Sequence, residues 1–317
     1  MSGWTGVRSL AARFRARLPL YRKPVVLALS GVGLVTYVWL LFIVPTYPTF
    51  QSKVGFDAFA YWNVDPFHPY TVALGGLSSF TYSPAFAMAI SPFQNLSFDT
   101  FFFVWEALLL VNMVWLTRRM ALVWLVFLPV PLELFHGNVH ILLATVCVLG
   151  FDYPALWAFG ILTKVTPGVG LLWFAVRREW RSLMIALGVT AIIAAASFAV
   201  APGTWSDWVR FLATSQANGA GSDYLYESLL PPLWLRGVMA AALVVWGART
   251  DRRWVVPVAV VIAAPVMWVT TPAILMAIPR LRARRIQAVR PSESRPGLDA
   301  KGERHALPLR KAGAASH

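Results

Sequence analysis

The sequence predicts an all-α bundle of membrane-crossing helices, and three observations carry that prediction. Of the 317 residues, 58% are hydrophobic and 13% charged, against roughly one quarter charged in soluble domains. The mean hydropathy is +0.60. Apolar runs long enough to cross a bilayer recur along the chain. At about 20 residues per crossing its length accommodates roughly eight to ten helices in one polytopic domain. Lysine and arginine gather beside these runs, as basic residues do at cytoplasmic helix ends facing anionic headgroups.

The net charge of +14 follows from that distribution. Of 28 Lys and Arg, six lie in residues 1–24 and ten in residues 280–317, leaving twelve between. A nucleic-acid partner would need a soluble basic face with aromatic platforms, and the sequence offers none. The one cysteine, Cys147, lies inside an apolar run, which permits neither an intrachain disulfide nor a cysteine metal cluster. Residues 1–24 lack a small-residue cleavage site and are read as a basic cytoplasmic N-terminus. Residues 25–280 form a single transmembrane domain, and residues 281–317 a disordered basic cytoplasmic tail.

The first helix spans residues 25–44, preceded by Arg22 and Lys23 and ended by Pro45. With its basic end inside, residues 45–100 emerge outside. This stretch is too proline-broken to span and too aromatic to be disordered. Short interfacial helices are expected there, with residues 83–92 dipping back into the bilayer. Residues 101–116 cross inward to Arg118 and Arg119, and 121–135 return, interrupted by Pro129 and Pro131. His136, Gly137 and Asn138 turn the chain, and 139–151 go back. Residues 154–163 and 165–176 form a short pair ending at Arg177, Arg178 and Arg181. Residues 182–200 cross outward, 201–232 make a second outer loop, and 233–248 return to Arg249, Arg252 and Arg253. One helix over 254–279 would put Arg280, Arg282, Arg284 and Arg285 outside. Pro265 and Pro272 instead predict a hairpin that goes out and comes back.

This topology sorts the charges. Asp57, Asp65, Asp99, Asp207, Asp223 and Glu227 fall outside with a few isolated cations: Lys53, Lys164, Arg210 and Arg236. Asp57 and Tyr61 are four apart, so on a helix they share one face. A carboxylate partly desolvated among interfacial aromatics suits proton abstraction, although an aspartate there equally serves as a helix cap. Asp65 precedes Pro66, where a turn role competes with a functional one. Lys164 lies between two apolar stretches and the chain breaks after it at Thr166, Pro167 and Gly168. A membrane-edge lysine faces a polar cavity or snorkels to headgroups, and the break favours binding a phosphate. His136 and His140 are four apart but lack the glutamate of a zinc-protease motif, so cavity lining is expected rather than metal. Glu106 and Glu133, acids in apolar helices, pair between helices or act in the site. The 15 tryptophans read as interfacial anchors, with those in outer loops also able to stack on sugar rings.

The stretches GFDAFAYW, DPFHPY and FTYSPAFAMAISPF resemble the first outer loop of the glycosyltransferase family 87 membrane mannosyltransferases. LFHGNVHILLA resembles that family's Gly-Gln-x-Asn-x-Leu-Leu stretch, GILTKVTPGVGLLWFAVRREWRSL its Lys-x-x-Pro helix and basic turn, and APVMWVTTPAILMAIPRL its C-terminal segment. Two departures stand out: Gly137-Asn138 replaces Gly-Gln, and Thr270 and Thr271 stand where the pattern has a histidine. The resemblance implies a GT-C architecture and transfer of a hexose, mannose first, from a polyprenyl-phosphate donor. The acceptor would be an envelope glycolipid or polysaccharide on the outer face of the plasma membrane. It makes Asp57 the catalytic base of an inverting displacement, with no metal and no cofactor. Together with the residue-by-residue reading, the expected substrate-binding set is Tyr61, Asp65, His68, Tyr82, His136, Asn138, His140, Lys164, Arg210 and Trp268. A lipid or small-anion transporter, or a catalytically lapsed relative that binds lipid-linked sugar, remains the alternative.

Overall fold

Proline and glycine decide where these apolar helices stop. The computed structural model describes residues 3–46, 53–74, 76–217 and 230–289, the side chains of 3–22, 215–217 and 284–289 excepted. The expected outer acids Asp223 and Glu227, and the tail from residue 290, lie outside the described residues. Helix α1 (Gly3–Ile43) runs through the basic stretch without interruption and ends in a 3-10 turn at Pro45. The short helices expected after it are α2 (Phe56–Trp62) and α3 (Pro84–Ile90). α2 begins at Gly55, whose φ of 71° lies in the left-handed region, and α3 is capped by Ser83 with Pro84 in its first turn.

Helix α4 (Phe98–Thr117), capped by Ser97, is continuous. The return expected over 121–135 instead breaks into α5 (Ala121–Trp124) and α6 (Pro129–His136). α6 meets α7 (His140–Leu149) at a bend of 112°. Beyond lie α8 (Trp157–Thr163), a 3-10 turn over Thr166–Leu171, α9 (Leu172–Arg177) and the unbroken α10 (Trp180–Val200). The expected second outer loop contains a 16-residue helix, α11 (Pro202–Ala217). Its composition reads as a loop, but Thr204, Trp208, Phe211 and Leu212 recur at helical spacing on one side. The chain finishes with α12 (Leu233–Arg249), α13 (Val255–Ile262), a 3-10 stretch over Thr271–Ala277 and α14 (Ile278–Val289), so the expected disordered tail begins as helix. No strand occurs among the described residues.

Three described helices are long and apolar enough to cross a membrane, Lys23–Thr46, Phe98–Trp124 and Trp180–Val200, and the bent α6–α7 pair makes four if counted as one span. The remaining described helices are shorter than a full crossing, and prolines mark several of the breaks between them, as at Pro129 and Pro131. The interior is organised on α7, packed against α4, α13 and the 271–277 stretch. Ile141 and Leu143 are fully buried there, and Leu109, Leu134, Trp157 and Trp173 belong to the same buried cluster. In lipid such burial supplies little hydrophobic drive, so close packing and hydrogen bonds hold the helices together.

Arginines tie one end of the molecule together. Arg177 bonds Glu179 at 2.8 Å, Asp251 at 3.2 Å and the Ala248 carbonyl at 3.3 Å. Arg280 donates to the Trp115 carbonyl and lies 4.3 Å over that ring, and Arg282 lies 4.7 Å over Trp254. Trp254 and Arg282 bracket the last apolar stretch, so that stretch doubles back as a hairpin.

Candidate active site

The break between α6 and α7 lies against α2. Gly137 ends α6 with φ 68°, and a Cβ there would sit 2.8 Å from the Ala58 Cβ. Glycine therefore lets α2 lie directly against the break. The next residue, Asn138, uses both ends of its amide. Its Oδ1 accepts from the Val139 N–H at 2.7 Å, and its Nδ2 donates to Asp57 Oδ2 at 2.7 Å. Asp57 is thereby held, half-buried, in the first turn of α2. Removal from water pushes its carboxyl above the usual aspartate range, while His136, the Asn138 hydrogen bond and Lys164 pull it partly back. That combination describes a carboxylate poised to accept a proton.

Tyr61 follows four residues on, buried edge-on to Trp105 at 5.3 Å. Its hydroxyl shares a 2.7 Å hydrogen bond with that of Tyr82. Burial holds both phenols protonated, well above their ordinary range. Lys164 Nζ lies 5.8 Å from the Tyr82 ring centre, and its charge acts on the Asp57 carboxyl.

Lys164 itself sits in extended backbone between α8 and the 3-10 turn at Thr166. Its Nζ lies 2.7 Å from His140 Nε2, and His140 Nδ1 lies 2.8 Å from Glu133 Oε2. The other Glu133 oxygen accepts from the His140 N–H and, at 3.3 Å, the Ile141 N–H. These are unpaired donors at the start of α7, which the carboxylate satisfies from the preceding helix. Thr270 Oγ1 is 3.3 Å from His140 Nδ1.

His140 and Lys164 form one wall of a cavity of about 340 Å³. Thr163, Thr166 and Thr271 add polar lining, and the buried Thr271 hydroxyl has no hydrogen-bond partner among the described residues. The rest is largely apolar: Trp208, Phe211 and Leu212 from α11, Leu233 from α12, Val260 from α13, and Val266 and Trp268. A cation thus sits at one side of an otherwise greasy space, suited to an anionic headgroup carrying an apolar chain.

The structure brings together Asp57, Tyr61, Tyr82, Asn138, His140 and Lys164, and Trp268 lines the same cavity as His140 and Lys164. His136 is adjacent, its ring edge-on to Phe56 at 6.2 Å, but on a different helix from His140. No group of three or more metal-ligating side chains forms among the described residues. Asp65 and His68 are exposed and belong to a local turn. Asp65 accepts from the Phe67 N–H at 2.8 Å, which lowers its carboxyl, and lies 3.1 Å from His68 Nδ1. Arg210 is exposed, pairs with Asp207 at 3.3 Å and does not line the cavity, because α11 turns Trp208, Phe211 and Leu212 inward instead. Arg236, expected as an isolated outer cation, is buried and donates to the Ala264 and Pro265 carbonyls at 2.7 and 3.0 Å.

Thr271 and the α11 aromatics were missing from the expected site, and Glu133 was expected either to pair between helices or to act in it. An acid four residues before a glycine break, inside an apolar run, was the signal for Glu133. The helical spacing of Trp208, Phe211 and Leu212 was the signal for α11.

Comparison with known proteins adds one match: a family model, glycosyltransferase family 87, covers residues 80–290. No curated protein and no solved structure matches the chain significantly.

Proposed function

The chain belongs to glycosyltransferase family 87, and on that premise we propose that it transfers a hexose, mannose in this reading, from a polyprenyl-phosphate donor to a hydroxyl of an envelope glycolipid or polysaccharide. The observation that carries the reading is one cation, Lys164, on the wall of a mainly apolar cavity, with a desolvated carboxylate, Asp57, on which the lysine's charge acts. The isoprenoid chain would lie against Trp208, Phe211 and Leu233, and the phosphate would meet Lys164.

Asp57 takes the proton of the acceptor hydroxyl as its oxygen attacks the anomeric carbon. The bond from that carbon to the phosphate oxygen breaks, and its electron pair leaves with the phosphate. Lys164 offsets the charge gathering there. Attack and departure on opposite faces invert the anomeric centre. The scheme uses no metal and no cofactor. The arginine-bound end of the molecule would face the cytoplasm with both termini, and the cavity the outer side of the plasma membrane.

Full-length protein in lipid nanodiscs, given a radiolabelled polyprenyl-phosphate sugar and an envelope lipid extract, should move label to acceptor. Absence of both transfer and hydrolysis across several donor sugars would overturn the proposal, and binding without turnover would point to a lapsed relative. A transporter would instead carry the label between leaflets chemically unchanged.

A further inference from the structure

We infer that Glu133 and His140 are positioning residues for Lys164: the buried carboxylate orients the imidazole, and the imidazole holds the ammonium group in the cavity wall. That Lys164 meets a donor phosphate rests on the function proposed above; that Glu133 and His140 hold it does not.

An ammonium group has donors and no acceptor. At 2.7 Å from Lys164 Nζ, His140 Nε2 must present its lone pair. The neutral ring then carries its hydrogen on Nδ1, which lies 2.8 Å from Glu133 Oε2. All three groups that Glu133 contacts are donors, the Nδ1–H and the backbone N–H groups of His140 and Ile141, so it is present as a carboxylate. The proton could otherwise sit on the imidazole and leave a neutral amine, but lysine is intrinsically far the stronger base.

The spacer matters as much as the charges. A carboxylate in direct contact with Lys164 would compete with any anion for the ammonium hydrogens. With the imidazole between them, the negative charge still compensates the buried cation, yet only one ammonium hydrogen is consumed. The others remain available to an anion in the cavity. Glu133 is itself fixed at both ends of the break, since it grows from α6 and caps α7. The geometry of the bend is thereby transmitted to the lysine through two hydrogen bonds.

Two measurements on full-length protein in nanodiscs test this. The first is the acylation rate of Lys164 by an amine-selective reagent, read by peptide mass spectrometry. Glu133→Gln and His140→Phe should raise the rate about tenfold, the effect of losing one charge-assisted hydrogen bond. His140→Gln should stay near wild type, because the amide can accept from Lys164 and donate to Glu133. Equal rates in all four proteins would overturn the inference.

The second is titration with a short-chain isoprenyl phosphate and the matching isoprenol, followed by tryptophan fluorescence. Glu133→Gln, at a residue that does not line the cavity, should weaken the phosphate about tenfold and leave the alcohol unchanged, which also reports an intact cavity. His140→Phe, in the cavity wall, should weaken the phosphate about tenfold more than it changes the alcohol. If Lys164→Met weakens the phosphate but these two variants do not, the positioning role falls and the donor reading stands. If wild type does not distinguish phosphate from alcohol, the donor reading falls, and the acylation rates alone decide the positioning role.

Discussion

Helix α10 and the α6–α7 pair are both apolar and both of membrane-crossing composition, yet they do opposite work. α10 runs 21 residues without a proline, and only 11% of its spanning window is buried. The α6–α7 pair bends by 112° at Gly137, and most of its residues are buried. An unbroken helix satisfies its own backbone and can stand in lipid. A broken one frees N–H and C=O groups that cannot remain unpaired in an apolar surrounding. Here side chains take them up: Glu133 at the start of α7, Asn138 at Val139, and Arg236 at the carbonyls beyond α13. Glu133 and Asn138 also hold His140 and Asp57. The breaks in the bundle and the chemistry of the site are therefore one arrangement.

The largest effect expected is on the chemistry that the broken pair supports. Asp57→Asn keeps an acceptor for the Asn138 amide and removes the base. Transfer should fall about a thousandfold with folding intact, measured with labelled donor in nanodiscs. The pH profile sharpens this. Asp57 must be ionised to act, so the rate should rise with pH through a carboxyl held above the usual range. Asn138→Leu removes a hydrogen bond that favours the carboxylate, and the acidic limb should move to higher pH. A limb that stays put would detach Asp57 from the rate.

Next comes stability at the second break. Arg236→Met leaves the Ala264 and Pro265 carbonyls without their donors and should cost about 3 kcal/mol, read as a fall in Tm in detergent. Glycines compare the two regions directly. Gly137→Ala forces a Cβ within 2.8 Å of Ala58 at a left-handed φ and should destabilise by about 2 kcal/mol. Gly188→Ala, in α10 with nothing within 4 Å, should stabilise by up to about 1 kcal/mol. The same substitution then has opposite signs in the two regions.

What the sequence made legible was whatever stood out against an apolar background. Asp57 among aromatics, Lys164 beside a Thr-Pro-Gly break and Asn138 after a glycine all announce themselves, and the structure gathers them. Family membership and the helical fold were legible for the same reason. What stayed hidden was pairing over distance. Arg236 reads as an isolated cation because its acceptors lie 28 and 29 residues away and exist only once α13 has broken. The lengths of single helices were less legible, because prolines inside apolar runs, as at Pro129 and Pro131, divide them into short pieces. Helix α11 was read as loop because Gly203, Ser206, Asp207 and Arg210 masked an apolar face four residues deep.

The smallest effect is expected at Asp65, and it separates two acids that lie eight residues apart in one loop. Asp57 is enclosed and bonded to a residue 81 positions on, whereas the Asp65 side chain is 55% exposed and bonded within its own turn. Water already screens Asp65, and its bonds to the Phe67 N–H and to His68 stay within the turn. Asp65→Ala should change transfer by less than about twofold, since the turn loses a local hydrogen bond while α2, the break and Lys164 keep theirs. A loss approaching that of Asp57→Asn would mean that the turn carries acceptor contacts of its own, and the boundary between the exposed loop and the enclosed site would have to be redrawn to include it.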